Sequence, residues 1–298
     1  MHCSRLGPKL SCGLRTNALV SPIRWLRNYH IRYGNPATVR ILVNNRGVWL
    51  KLQDVQGYNP VQNSAYVEFV ESTNTTGQSY HAANILASGL DSPLLNLLNV
   101  RYVVVPAYIP PGRPDLLHLV QRLPTVHVNA NARILENPDA LPRARIVHHA
   151  EQKSDREEIL TAFSLKISDP ASTALMTSEP PILDQPTPSG DESVEVVSYR
   201  LDEIHMKATA QSTGLVVVSE IWDPNWTATV DGQRTEVYQV DGLFRGIAVT
   251  PGTHEIVLRD QATVARVSLF FYLVPIAALA AIPLAAYWNV RKRRRPVL

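Results

Sequence analysis

The most constraining feature of the sequence is a long uncharged stretch near its C-terminus. Residues 267–290 read VSLFFYLVPIAALAAIPLAAYWNV, which is 24 residues without a charged side chain. A helix of that length is about 36 Å long, which is enough to cross a bilayer. Pro275 and Pro283 are tolerated in membrane-spanning helices, and the aromatic residues near both ends fit interfacial positions. The stretch therefore predicts a transmembrane helix, with a buried core helix as the alternative.

The basic residues after this stretch predict its orientation. Residues 291–298 begin with RKRRR, and short basic segments beside a membrane helix stay in the cytoplasm. We therefore expect residues 1–266 to be extracytoplasmic and the C-terminal tail to be cytoplasmic. The lipid bilayer is the first partner that the sequence predicts.

The basic leader, residues 1–46, contains no segment that would export the chain. It has eight Lys or Arg residues and no Asp or Glu, but it lacks the apolar run of roughly 7 to 15 residues that a signal peptide needs. Its Arg-rich, acid-free composition also resembles an organellar transit peptide. The more economical hypothesis is that the chain is the C-terminal piece of a larger multi-pass protein, with a leader that is disordered or non-native.

Charge and cysteine content exclude several functions for the middle of the chain. Residues 47–266 contain all 26 acidic residues but only 16 of the 29 basic ones, which argues against nucleic acid as a partner. Cys3 and Cys12 both lie in the leader, so the body has no thiol for a nucleophile, a zinc site or a disulfide. The sequence contains no cofactor-binding motif, so we expect no cofactor.

Helix and strand signals alternate between residues 47 and 138. Asn59 and Pro60 fit the cap and first turn of a helix of about a dozen residues. Ser92 and Pro93 open a second short helix, and the β-branched run VRYVVV follows as a buried strand. A helix in RPDLLHLVQRL and strands in TVHV and ARILEN complete the pattern. This alternation predicts a small α/β domain.

Strand signals dominate residues 139–266. RARIVHH predicts a strand, DREEILTAF a capped helix and TALMTSEPP an edge strand. Asp231-Gly232 and Asp241-Gly242 are signals for type I′ hairpin turns. We therefore expect a β-sandwich here and an α+β fold overall, completed by the C-terminal transmembrane helix. Its seven strands lie in VEVVSYR, EIHMKATAQ, GLVVVSEIW, WTATV, RTEVYQV, LFRGIAV and THEIVLR.

Two short segments hold the candidate binding residues. In IWDPNWTATVDG, Trp222, Asp223 and Trp226 could form a stacking platform for a sugar ring. The competing interpretation makes Trp226 a core anchor and the Asp-Pro-Asn sequence a turn between strands.

In DVQGYNP, Asp54, Gly57 and Tyr58 could line a sugar or lipid-phosphate pocket. A turn fixed by Gly57 explains them equally well. Elsewhere, His148 and His149 are neighbours on a predicted strand and point to opposite faces, so we do not expect them to bind a metal together.

Four stretches resemble the extracytoplasmic C-terminal half of the YfhO family of bacterial multi-pass membrane proteins. The most specific combines W-x-x-x-W-x-A-x-V-D-G, D-G-L-F-R and P-G-x-H at fitting spacings. The resemblance covers roughly residues 40–290, in the family's order. The stretches are DVQGYNPVQNSAYVEF, SPLLNLLNVRYVVVP, ENPDALPRARIV and GLVVVSEIWDPNWTATVDGQRTEVYQVDGLFRGIAVTPGTHEIVLR.

The resemblance implies a protein of the bacterial cell membrane that is related to GT-C glycosyltransferases. Such enzymes use polyprenyl-phosphate sugars on the outer membrane face, and the family is associated with glycosylation of lipoteichoic acid. The catalytic carboxylate of such enzymes lies between early membrane helices, a portion with no counterpart here, so no catalytic residue is assigned and enzymatic activity is left open. We expect a non-catalytic region that positions a polyprenyl-phosphate sugar or an envelope glycan. The alternative is a self-sufficient single-pass protein whose β-sandwich binds envelope carbohydrate or a partner protein.

Overall fold

A computed structural model describes residues 18–20, 52–58, 61–77, 82–184, 191–261, 271–277, 279, 281–283 and 287–288. Its helices are α1 (Ser64–Asn74), α2 (Leu94–Leu97), α3 (Pro114–Arg122) and α4 (Arg156–Ser164), with a 3₁₀ turn at Ala87–Gly89. Its strands are β1 (Ala18–Val20), β2 (Gly57–Tyr58), β3 (Ala82–Ala83), β4 (Val100–Pro106), β5 (Thr125–Val128), β6 (Ala132–Glu136), β7 (Ala144–Val147), β8 (His149–Gln152), β9 (Thr173–Met176), β10 (Ser193–Tyr199), β11 (Glu203–Ala210), β12 (Gly214–Val218), β13 (Trp226–Val230), β14 (Gln233–Thr235), β15 (Tyr238–Val240), β16 (Phe244–Val249) and β17 (Gly252–Asp260).

The first sheet contains the strands predicted before residue 138. Its order is β1-β4-β6-β5, with β1 parallel to β4 and the other pairs antiparallel. Strand β4 is buried along its whole length except at Arg101, because apolar residues occupy both of its faces. A short strand from the leader therefore joins this sheet through Ala18–Val20.

Helix α1 begins four residues later than predicted. Residues 61–63 are not helical, and the side chain of Asn63 caps the helix by accepting a hydrogen bond from the amide of Tyr66 at 3.2 Å. The predicted start at the Asn-Pro pair is therefore wrong, although 59–60 themselves lie outside the described residues. The sequence predicts burial of Val61, Ala65, Val67, Phe69 and Val70. Ala65, Phe69 and Val70 are buried, whereas Val67 is half-buried and Val61 is 80% exposed.

The second half of the chain forms a β-sandwich-like pair of antiparallel sheets. One sheet has the order β10-β11-β17-β13-β14 and the other β15-β16-β12-β7. Their facing sides enclose an apolar core that includes Met206, Val216, Ile247 and Leu258. All seven predicted strands contribute, but RTEVYQV splits into β14 and β15, because the chain crosses between the two sheets after Thr235.

Strand β12 is buried at every position because it lies between two cores. Val216 and Val218 face the sandwich core, whereas Leu215 and Val217 belong to a second core on the other side of the sheet. This second core also contains Phe69 from α1, so it includes residues from both sides of position 138. The division into domains 47–138 and 139–266 stays a prediction.

Strands β8 and β9 form a separate parallel pair, and the carboxylate of a buried ion pair in the sandwich bonds to it through β9. Asp241 bonds to Arg145 Nη2 through Oδ2 at 2.7 Å and accepts from the Leu175 amide through Oδ1 at 3.0 Å. Arg145 Nε also donates to the Pro170 carbonyl at 2.8 Å. Burial raises the pKa of Asp241, against the lowering influence of the guanidinium and the amide.

The predicted membrane segment is described only in part. Residues 271–277, 279, 281–283 and 287–288 are helical and exposed, while the other residues of 267–290 and the tail 291–298 lie outside the described residues. Within the described part of the chain, no helix is both long and apolar enough to span a bilayer.

Candidate functional site

The segment between β12 and β13 carries the two candidate tryptophans and is held by its own backbone. Asp223 Oδ1 accepts a hydrogen bond from the Asn225 amide at 2.8 Å, and the Asp223 carbonyl accepts from the Trp226 amide at 3.1 Å. The predicted turn is therefore confirmed. Both Trp222 and Trp226 are half-buried, and Trp226 packs against the sandwich core.

Each indole is held by a partner outside the turn. Trp222 donates from Nε1 to the Val237 carbonyl at 2.9 Å. Trp226 lies beneath the guanidinium of Arg245, whose carbon is 3.7 Å from the ring centroid. Such cation–π stacking is strengthened when water is excluded.

Arg245 is the buried cation of this region. It reaches from β16 and donates from Nε and Nη2 to the Ile221 carbonyl, at 3.0 and 2.7 Å. Only 4% of the residue is exposed, and burial lowers its pKa to about 10, opposed mainly by the nearby carboxylate of Glu220. One guanidinium thus fixes both the backbone before Trp222 and the ring of Trp226.

Beside this turn lies a surface groove with a volume of about 430 Å³, called here the tryptophan groove. Trp222 and Trp226 contribute aromatic surface, and Asp223, Arg234 and Glu236 contribute charged groups to its lining. Binding sites for small ligands commonly combine apolar walls with a few polar groups in this way. The three residues predicted as a platform therefore line one groove.

The other predicted patch lies apart from the groove. Asp54 is half-buried and accepts a hydrogen bond from the Gln56 amide at 3.0 Å; burial raises its pKa to about 7, although that bond lowers it. Gly57 pairs with Ala83 between β2 and β3. Neither Asp54 nor Gly57 is among the described residues that line the groove, and the side chain of Tyr58 lies outside the described residues.

One arginine connects the two regions. Arg143 bonds to Gln53 through Nη2 and to Glu220 through Nη1. Its guanidinium carbon also lies 5.1 Å from the ring centroid of Tyr199, whose pKa burial and the Glu220 carboxylate raise to about 12. The loop that carries Asp54 and the segment that precedes Trp222 therefore share a polar neighbour.

The adjacent histidines contact different neighbours, but they do not share a strand as predicted, because β7 ends at Val147 and β8 begins at His149. His148 Nε2 lies 2.8 Å from Glu192 Oε2, and its Nδ1 lies 3.2 Å from the Thr213 carbonyl and from Ser212 Oγ. His149 is exposed beside a different carboxylate. Within the described ranges, no three His, Cys, Asp or Glu side chains are grouped as a metal site.

Comparisons with models of protein families, with curated proteins and with solved structures find no match.

The sequence did not predict the two arginines of this region, Arg245 at the groove and Arg143 between the groove's preceding segment and the Asp54 loop. Arg245 and Arg143 follow or interrupt apolar strand segments, in LFRGIAV and LPRARIV. A charged residue inside a strand that is buried on both faces is a usable signal, because it needs a partner there. Which partner it finds depends on how the sheets pack, and that is not readable from the local sequence.

Proposed function

We propose that the described region is a non-catalytic glycan-binding region that positions an envelope glycan at the membrane surface, as the YfhO resemblance implies. The observation that carries the proposal is the tryptophan groove, in which Trp222 and Trp226 stand beside charged side chains. A pyranose ring has an apolar face that stacks on aromatic rings and hydroxyl groups that bind carboxylates and guanidinium groups.

The indoles are oriented before any ligand arrives, which favours this role. The Val237 carbonyl holds Trp222, and the Arg245 guanidinium holds Trp226. Preorganised side chains lose little conformational freedom on binding, so more of the contact energy appears as affinity. Two fixed indoles four residues apart suit a rigid ring better than a flexible chain.

The exposed C-terminal helix supports attachment to the membrane. Its described residues are apolar or aromatic on every side and all are exposed. A helix that is apolar all round is stable only when it is covered, either by protein or by lipid. We therefore propose that 267–290 anchors the protein in the bacterial membrane, with the groove on the extracytoplasmic side.

The groove is tested by calorimetric titration of the full chain in detergent with neutral gluco-oligosaccharides, N-acetylglucosamine oligomers and lipoteichoic acid. We expect Trp222→Ala to weaken binding of the preferred probe at least about tenfold, which corresponds to about 1.4 kcal/mol. Tyr108→Ala is the matched control, because Tyr108 is an exposed aromatic residue outside the groove.

Two further measurements keep the result interpretable. Thermal unfolding of each variant checks that the sandwich is intact, and Trp226→Phe keeps an aromatic ring against the core. If the intact protein binds none of the probes, or if Trp222→Ala and Tyr108→Ala bind equally well, the glycan-binding proposal is wrong.

A further inference from the structure

The C-terminal segment leaves the sandwich at the end where the tryptophans lie. Trp226 begins β13 opposite Asp260, the last residue of β17. The next residue, Gln261, donates its amide to the Asn225 carbonyl at 2.9 Å. The uncharged stretch starts six residues later at Val267, a distance of about 20 Å at full extension. Strand β11 has its Glu203 end beside this exit. Its other end, Ala210, is about 23 Å further from the exit, since each strand residue rises about 3.3 Å.

A second strand connection ends at the same place. The Asp260 amide donates to the Asp202 carbonyl at 2.9 Å, and the Arg200 amide donates to the Glu203 carbonyl at 2.8 Å. The turn at 200–202, between β10 and β11, therefore lies beside the exit of the chain. We call it the β10–β11 turn.

This turn presents an apolar side chain to solvent. Leu201 is 95% exposed at its tip. The neighbouring charges are paired, Arg200 with Asp202 at 3.7 Å within the turn and Arg259 with Glu203 at 2.5 Å between β17 and β11. A bare leucine flanked by paired charges suits the boundary between lipid headgroups and acyl chains.

We propose that the β10–β11 turn contacts the bilayer, with Leu201 inserted at the headgroup boundary. This inference rests on the membrane anchor in the proposed function. The turn and the anchor then form two points of attachment to the bilayer. Together they fix the orientation of the sandwich and its distance from the membrane surface. Because Trp226 lies at the same end, the tryptophan groove is held near the lipid surface, within reach of a membrane-tethered glycan.

The test places an environment-sensitive dye at the turn in the full chain with Cys3→Ser and Cys12→Ser. Leu201→Cys carries the nitrobenzoxadiazole label, and Ile182→Cys is the matched control because Ile182 is 91% exposed. It lies near the opposite end of the sandwich, where the Asp184 amide bonds to the Thr213 carbonyl at 3.0 Å. Each protein is reconstituted in phosphatidylcholine vesicles, and unbound protein is removed by flotation.

We expect a blue shift and increased emission for the label at 201, with quenching by spin-labelled lipid and little quenching by external iodide. The label at 182 should keep its solvent-exposed spectrum. Flotation of both proteins with equal, solvent-like spectra would refute the turn contact while leaving the anchor intact. Failure of either protein to float would refute the anchor and the turn contact together, and the glycan titration would still report on the groove.

Discussion

Two Asp-Gly turns share one sequence signal but lie in different surroundings. Asp231-Gly232 joins β13 to β14 with φ values of 51° and 79°, and Asp241-Gly242 joins β15 to β16 with values of 52° and 74°. The φ angles of the two turns nearly match and are positive at both positions, as the type I′ signal predicts. Two residues separate the paired Val230 and Gln233, and three separate the paired Val240 and Phe244. Asp231 is exposed beside His254, whereas Asp241 has no exposed surface and bonds to Arg145.

The same turn sequence therefore specifies a similar backbone at both sites but does not determine how much each turn contributes to stability. The exposed carboxylate interacts through water-screened charge, which is worth little in free energy. The buried carboxylate neutralises a guanidinium that water cannot reach, so removing it leaves a charge without solvation. The two turns should therefore respond very differently to the same substitution.

The largest effect is expected from Asp241→Asn. Asparagine tolerates the left-handed backbone, so the substitution removes the charge while keeping the turn. Loss of one partner of a buried ion pair costs about 3 to 5 kcal/mol, here because Arg145 keeps its charge in the protein interior. Urea unfolding of the folded, purified protein measures the loss as a lower transition midpoint.

Asp231→Asn is the matched control and should leave the urea midpoint close to that of the unsubstituted protein. The double variant Arg145→Met/Asp241→Asn should recover part of the lost stability, because no unpaired charge then remains inside. Equal midpoints for Asp241→Asn and Asp231→Asn would contradict the distinction between the turns.

The second largest effect is a difference in the stability lost when each turn glycine is replaced by alanine. Alanine at either position suffers the left-handed backbone, at about 1 kcal/mol. At Gly242 an added Cβ would also lie 3.1 Å from Arg156 Cγ and 3.5 Å from Leu160 Cδ2, whereas at Gly232 it would meet nothing within 4 Å. Overpacking of this kind adds about 1 kcal/mol or more, so Gly242→Ala should lose more stability than Gly232→Ala.

Denaturant unfolding of the two alanine variants in parallel measures that difference. The comparison is internally controlled, because the glycine φ angles are similar, at 79° and 74°, and the substitution is the same at both sites. Equal losses would mean that α4, which carries Arg156 and Leu160, moves freely away from the turn.

The fold could be predicted from the sequence where one local rule decides the outcome. Strand β4 follows from its β-branched run, and α4 follows from the Asp155 cap, whose side chain accepts from the Glu158 amide at 2.8 Å. The start of α1 could not be predicted in this way, because Asn59-Pro60 and Asn63 are competing cap signals of similar strength. The split of RTEVYQV was also missed, since one continuous strand pattern does not show where a chain changes sheets.

The candidate site was predictable in its aromatic residues but not in the groups that organise them. Trp222, Asp223 and Trp226 are adjacent in sequence, so one turn brings them together. Arg245 reaches them from a strand almost twenty residues later, and only the packing of the two sheets places it over an indole. The burial of Asp241 depends on β9 in the same way, through a contact distant in sequence.

The smallest expected effect is the pH dependence of the stability that the His254–Asp231 pair gives to the exposed turn. His254 Nδ1 lies 2.7 Å from Asp231 Oδ2; this hydrogen bond raises the pKa of His254 above its usual 6.5, while burial lowers it less. A raised histidine pKa means that the protonated ring is favoured in the folded state. The pair should therefore stabilise the protein fully below the unfolded pKa, and the contribution should disappear as the pH rises through the folded pKa.

His254→Gln should thus reduce stability more at pH 5.5 than at pH 8.5. The same bond lowers the pKa of Asp231, so the carboxylate stays charged at the lower pH and only the ring titrates across this range. Guanidinium unfolding of both proteins at both pH values gives the difference, in which the eight other histidines cancel. An equal loss at the two pH values would show that the ring acts through its hydrogen bonds alone. The charge on the ring would then contribute nothing to the exposed turn, which would widen its contrast with the charged pair at Asp241.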